Sequence, residues 1–287
     1  MSRRTDNRHR VATICREATG LPHHVCMRWA ADGLISRGQP VPDAESAAQR
    51  AFEAQIVTEL AQELRHRPRE GALFGFVSGV PTRGGLLLDI HPAMADEVLA
   101  AVLPRIDEHY GGLRGVPGLR LTPLGDSWAL MRVGGAALVR LRPPRADWQP
   151  SLPEHGDGLT QLWRRSRHRQ HPAESSAMSA WSCRGSVGEA HALDWLNSRL
   201  LRRPCLLNTV VATHGSADTY THGSMDLVVE WCCALRAAEL ERRLRQSGLA
   251  HRPAGVAAHS RDTPWFPGEI GMGGAFVSLR SGTCRGR

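Results

Sequence analysis

The stretch Gly71–Ile90, GALFGFVSGVPTRGGLLLDI, decides the fold class, because it changes the hydrophobic period of the chain. Ala72–Ser78 and Gly85–Ile90 are strand-like runs joined by Pro81-Thr82-Arg83-Gly84, a sequence rich in turn formers. Immediately upstream, Ala48, Phe52, Ile56, Leu60 and Leu64 recur every four positions, one stripe of an amphipathic helix. Asp43 is placed to cap that helix, and His66-Arg67-Pro68 to end it. Downstream, Pro92 sits in the first turn of a helix that faces Met94, Val98, Ala101 and Val102 inward, with Pro104 near its end. After the Gly111–Gly118 loop come three strand candidates, Leu119–Thr122, Ser127–Val133 and Ala136–Leu141, the last two joined through Gly134-Gly135. Residues 71–142 thus read as a ββαβββ unit with a small antiparallel sheet, and the fold class is α+β.

Working outward, residues 1–10 read as a basic tail, and Val11–Ile35 as two short helices around Gly20-Leu21-Pro22. Gly38–Pro42 is a breaker-rich joint, so residues 1–42 form one unit and 43–68 a connecting helix. Residues 143–186, rich in Pro, Arg, Ser and His, read as a linker or excursion. Residues 187–287 read as a second α+β segment with an irregular basic tail. Ser186 and Glu189 make a capping box before Leu193, Leu196 and Leu200, and Pro204 closes that helix. Cys205–Ala212, Asp226–Cys233 and Ala275–Leu279 are strand candidates, and Ala234–Gln246 is a helix stopped by Gly248.

The chain has no lysine, so all 36 basic side chains are arginine. A P-loop, a protein kinase and a Schiff-base or pyridoxal enzyme each need a lysine, and none can be built here in standard form. Asn, Ile, Phe and Tyr are also scarce, which fits a very GC-rich genome of actinobacterial type and makes part of the arginine excess compositional. Seven cysteines without regular spacing predict reduced, buried thiols. No apolar run is long enough to span a bilayer and no leader is recognisable, so the expected location is the cytoplasm, with no membrane partner. The net charge of +8 is uneven: residues 1–40 carry +4, 143–186 carry +2 and 251–287 carry +3. Basic ends of this kind suit a polyanion, because phosphate neutralisation releases counterions.

The strongest functional signal is Ile14–Ile35, ICREATGLPHHVCMRWAADGLI. A helix-turn-helix needs a glycine in its turn, with apolar residues five before it and one, six and nine after it. Counted from Gly20, those positions hold Cys15, Leu21, Cys26 and Trp29. Thr19-Gly20-Leu21, Trp29 and Gly33-Leu34-Ile35 resemble the first half of the MerR and excisionase type of winged helix. The pattern departs at Arg16, where alanine is usual, and in Ser36–Pro42, which lacks the basic and aromatic residues of a wing. The resemblance implies that Pro22–Asp32 enters the major groove of double-stranded DNA with His23, His24, Met27 and Arg28 outermost, Arg28 being the best guanine reader. Arg3, Arg4, Arg8 and Arg10 would then hold phosphates or reach the minor groove as a basic arm.

A second signal is the near duplication Thr213–Asp218 and Thr221–Asp226, THGSAD and THGSMD, eight residues apart. Successive Asx and Ser turns explain these residue types. The alternative is a divalent-metal site of His214, Asp218, His222 and Asp226, serving a phosphoester or nucleic-acid hydrolase. No His-x-His occurs, which counts against a relaxase-type tyrosine at Tyr220. Cys15, His23, His24 and Cys26 can be drawn as a zinc set, but both cysteines occupy helix-packing positions. The tract Trp163–His171 reads as a solvated basic linker that could also grip phosphates.

The sequence therefore predicts a DNA-binding protein without a cofactor, a regulator or mobile-element accessory factor, more a binder than an enzyme. A non-catalytic interaction protein is the third reading. Its 43–64 helix offers an apolar stripe either to the body or to a second copy in a homodimer.

Overall fold

The computed structural model describes residues 3–64, 73–107, 112–145, 148–150, 159–164, 168–182, 187–207, 217–222, 226–231, 236–249, 268–272 and 275–281. The chain is α+β, with its helical pair first. The helices are α1 (Arg3–Thr19), α2 (His23–Ala31), α3 (Ala47–Glu63), α4 (Ala95–Val102), α5 (Pro172–Ser182), α6 (Val187–Leu201) and α7 (Ala237–Gln246). Among the described residues no helix is long and apolar enough to cross a membrane.

Strands β1 (Phe76–Thr82), β2 (Gly85–Ile90), β5 (Leu119–Leu124), β6 (Ser127–Arg132) and β7 (Leu138–Arg142) build a five-stranded sheet in the order β1-β2-β7-β6-β5. The expected antiparallel sheet is in fact mixed, because β7 lies parallel to β2, from Leu86 opposite Val139 to Asp89 opposite Arg142. Hairpin turns can be read locally, whereas the partner that a returning strand selects cannot. Strand β1 also starts later than its apolar run. Leu73–Gly75 forms a single 3-10 turn in which Phe74 is left-handed (φ 59°) and Gly75 lies so close to Met94 that a Cβ would stand 2.6 Å from it.

The region read as a linker carries structure and packs on the body. A three-stranded sheet has the order β4-β3-β8, with β3 (Arg105–Asp107), β4 (Gly112–Arg114) and β8 (Leu159–Gln161). Trp148 and Leu162 are buried, and α5 brings Glu174 to the buried Arg120, whose guanidinium grips both carboxylate oxygens at 2.8 and 2.9 Å. A four-stranded sheet runs β11-β12-β10-β9, from β9 (Ala217–His222), β10 (Asp226–Trp231), β11 (Gly268–Met272) and β12 (Ala275–Ser281). Residues 205–207, expected to open a strand, lie in a turn after α6.

Helix α3 is the centre of the molecule. Ser46, rather than Asp43, caps it by accepting from the Gln49 amide at 3.1 Å. Asp43 instead pairs with Arg199 at 2.6 Å. The Phe52, Ile56, Leu60 and Leu64 stripe is buried as expected, but so are Gln49, Glu53, Ala54, Gln55, Val57 and Ala61. The helix packs on α6, α4, β7 and β9. Of the two roles expected for its apolar stripe, packing on this chain's own body is the one seen here.

The polar residues of α3 are buried because the fold supplies their partners. The Glu53 carboxylate, fully buried, accepts from Gln49, Ser198 and both Nε and Nη2 of the equally buried Arg202. Next to it, burial pushes the Arg203 guanidinium down to about 9, with Asp43 holding it up. It remains protonated at neutral pH and donates to Ser247 O, Arg199 O and Val41 O.

Candidate nucleic-acid interface

The N-terminal pair is built from its caps. Arg3–Arg10, expected as a basic tail outside the helical pair, is the first half of α1. Arginine is a good helix former and Asp6 lies in the positive first turn, so the basic segment continues the helix. At the other end Gly20 takes φ 76° and its amide donates to Arg16 O at 2.8 Å, a left-handed cap that ends α1. The Thr19 hydroxyl donates to Cys15 O at 2.7 Å and accepts from the Leu21 amide. Leu21 and Pro22 then lead into α2, whose Val25 and Cys26 amides both reach Pro22 O.

The expected anchors assemble. Cys15 and Cys26 are fully buried and Leu21 nearly so, in a small core completed by Val11, Ala12 and Ile35. Trp29 packs on it half-buried. The two thiols are hydrogen-bonded, which together with burial raises Cys15; the same bond lowers Cys26. Arg16 is half exposed and pairs with Glu17 at 3.8 Å, so α1 meets α2 through Ala12 and Cys15 instead. Gly33 (φ 74°) ends α2, with the Leu34 amide donating to Trp29 O. The following Ser36 and Gln39 exchange backbone hydrogen bonds in a turn, and the chain proceeds to α3 without forming a wing.

Of the predicted reading face, His24 and Arg28 are exposed, four residues apart on α2. Met27 is half-buried and packs on the small core rather than facing solvent. His23 is half-buried and stacks on His9 with ring centroids 5.9 Å apart. Arg8 is half-buried and Arg10 exposed, while Arg3 and Arg4 stand on the first turn of α1. The zinc drawing fails, since Cys15 and Cys26 face into the helix pair while His24 faces solvent.

The duplicated segment is partly strand, where a loop was expected. Asp218 and His222 belong to β9 and Asp226 opens β10; His222 pairs with Asp226 across the hairpin, and Asp218 with Glu230. His214 lies outside the described residues. Among the described residues no group of three or more His, Cys, Asp and Glu is placed to hold a metal ion. In the basic tract Trp163 packs on the main core with the Arg164 guanidinium 5.0 Å from its ring, so the indole is not a free stacking platform.

One feature was invisible in the sequence. On another flank of α1 a cleft of about 350 Å³ opens, lined by Asn7, Arg10, Arg37, Arg242, Arg245 and Gln246, with Val11 and Ile14 as its apolar part. The arginines come from three separate segments, and only the 242/245 spacing on one helix hinted that any would converge. No protein-family model, curated protein or solved structure matches the chain.

Proposed function

We propose that this is a DNA-binding protein, a regulator or mobile-element accessory factor, that reads double-stranded DNA through α2. The observation that carries the reading is the division of labour on that helix. Cys26 is buried and Met27 and Trp29 pack on the small core, while His24 and Arg28 project unobstructed one turn apart. A helix fixed from behind with a guanidinium in front suits major-groove readout, where an arginine fork spans guanine O6 and N7. The exposed arginines of α1 add backbone contacts that carry no sequence information.

The test is selection from a random duplex library by the full chain at two salt concentrations. The expected outcome is an enriched motif whose preference at one base pair is lost in Arg28→Ala, at a cost of about 1–3 kcal/mol. Steep salt dependence without a motif would reduce the role to charge neutralisation. Absence of binding at low salt would overturn it.

A further inference from the structure

We propose that the cleft between α1 and α7 is a binding site for a small ligand bearing linked phosphoryl groups, free in solution. Four arginines, Arg10, Arg37, Arg242 and Arg245, line it together with Asn7 and Gln246. No carboxylate is among the residues that line the cleft, and guanidiniums left without one gain most from an anion that takes several forks at once. Two of the four are partly satisfied: Arg242 grips Glu239 at 2.6 Å and Gln246 at 2.7 Å, and Arg245 reaches Glu241 at 2.9 Å. Those contacts hold the two side chains in place on α7. Arg10 and Arg37 are exposed and have no ion-pair partner among the described residues. Two unpaired forks facing two braced ones fit a diphosphate or triphosphate better than a single oxyanion.

The walls are fixed from behind. Gly248, which ends α7 with φ 74°, lies so close to Pro40 that a Cβ would stand 3.1 Å from it. Beneath it the buried Arg203 donates to Ser247 O on the α7 side and to Val41 O on the 36–41 side. The Schellman bonds Gly248 to Arg245 O and Leu249 to Leu244 O use up carbonyls at the negative end of α7, which removes part of that end's repulsion for an anion. A volume of about 350 Å³ is that of a small-molecule site. Ile14, half-buried at the cleft wall, offers apolar surface to whatever group carries the phosphates.

The site does not depend on the DNA reading and is tested first in the absence of DNA, by calorimetric titration of inorganic triphosphate into the full chain at two salt concentrations. The expected result is saturable one-to-one binding, weakened about tenfold or more by Arg37→Ala and by Arg10→Ala. Arg28→Ala, which removes an exposed arginine of α2 outside the cleft, should change it less than about twofold. Both cleft positions are exposed, so unchanged thermal melting of the variants will confirm that folding is intact. Absence of saturable binding at low salt overturns the proposal, and so does an equal loss in Arg28→Ala, which would mean overall charge. A third arm adds a short duplex: one-for-one displacement of triphosphate, with Arg37→Ala weakening the duplex equally, overturns the free ligand in favour of backbone phosphate. Triphosphate binding in a chain that ignores DNA supports the cleft and counts only against α2 as a reader.

Discussion

The side chain of Glu53 shows how little of an interior can be read from local pattern. On a helical wheel it is a polar residue beside an apolar stripe, and its carboxylate belongs in water. In the fold it is fully buried because Ser198 and Arg202, 145 and 149 residues away, bring it an O–H and a guanidinium. Glu53→Gln keeps the shape and removes the counter-charge of a buried arginine. The expected loss is about 3–5 kcal/mol, read from the urea midpoint at unchanged slope. A loss below about 1 kcal/mol would show that water reaches the pair. Glu59 titrates in the opposite sense from a salt-bridged carboxylate. Burial first, and the neighbouring Glu63 second, push its carboxyl up to about 7 from an ordinary 4.5. Between those values the native state holds a proton that the unfolded chain has released. Stability should therefore fall as pH rises from about 4.5 to about 7 and level off above. Glu59→Gln escapes this loss. It should exceed the parent by on the order of 2 kcal/mol near pH 8, with most of the advantage gone by about pH 5, in denaturation curves at the two pH values.

At the scale of elements, the local signals that survived are those whose cause is local. Gly20 was legible because a left-handed cap is a property of one residue and the turn around it. The strands β2, β6 and β7 and the stop of α7 at Gly248 were legible for the same reason. The cap of α3 was not, since Asp43 and Ser46 are both good caps, and Arg199 decided between them by claiming the aspartate. Gly20 and Gly33 separate conformation from collision. At Gly33, φ is 74° and nothing stands within 4 Å of an added Cβ, so Gly33→Ala carries only the left-handed cost of about 1–2 kcal/mol. At Gly20, φ is 76° and the Cβ would lie 2.7 Å from Val77 O and 2.8 Å from Cys205 Sγ. Gly20→Ala should therefore be distinctly more destabilising than Gly33→Ala when the two are unfolded in parallel in urea. Equal losses would mean that the turn can lift away from β1.

At the scale of the molecule, what the sequence divided into a tail, a hairpin, a connecting helix and a linker is tied together by bonds between distant residues. Glu174 illustrates the linker's part. Burial would raise its carboxyl, but the Arg120 guanidinium and the His171 and Gly118 amides hold it below its ordinary value and bind α5 to the sheet. The N-terminal pair is joined to the body in the same manner. The Cys205 amide donates to Ala18 O at 2.9 Å, its thiol lies 3.1 Å from Val77 O, and Val80 of β1 packs on the small core of α1 and α2. A DNA-reading unit that could be cut away would need an interface with few such contacts. Here, removal of residues 1–36 strips the cover from Val80 and leaves the Cys205 amide without its acceptor. The truncated chain should therefore melt well below the full chain, whereas Arg28→Ala, exposed on α2, should melt with it. Loss of DNA binding on truncation would then report unfolding as readily as loss of the reading helix, and the point variant is the one that isolates recognition. A truncated chain that melts with the full one would make the helical pair an independent module after all, with the contacts at Ala18 and Val80 contributing nothing to stability.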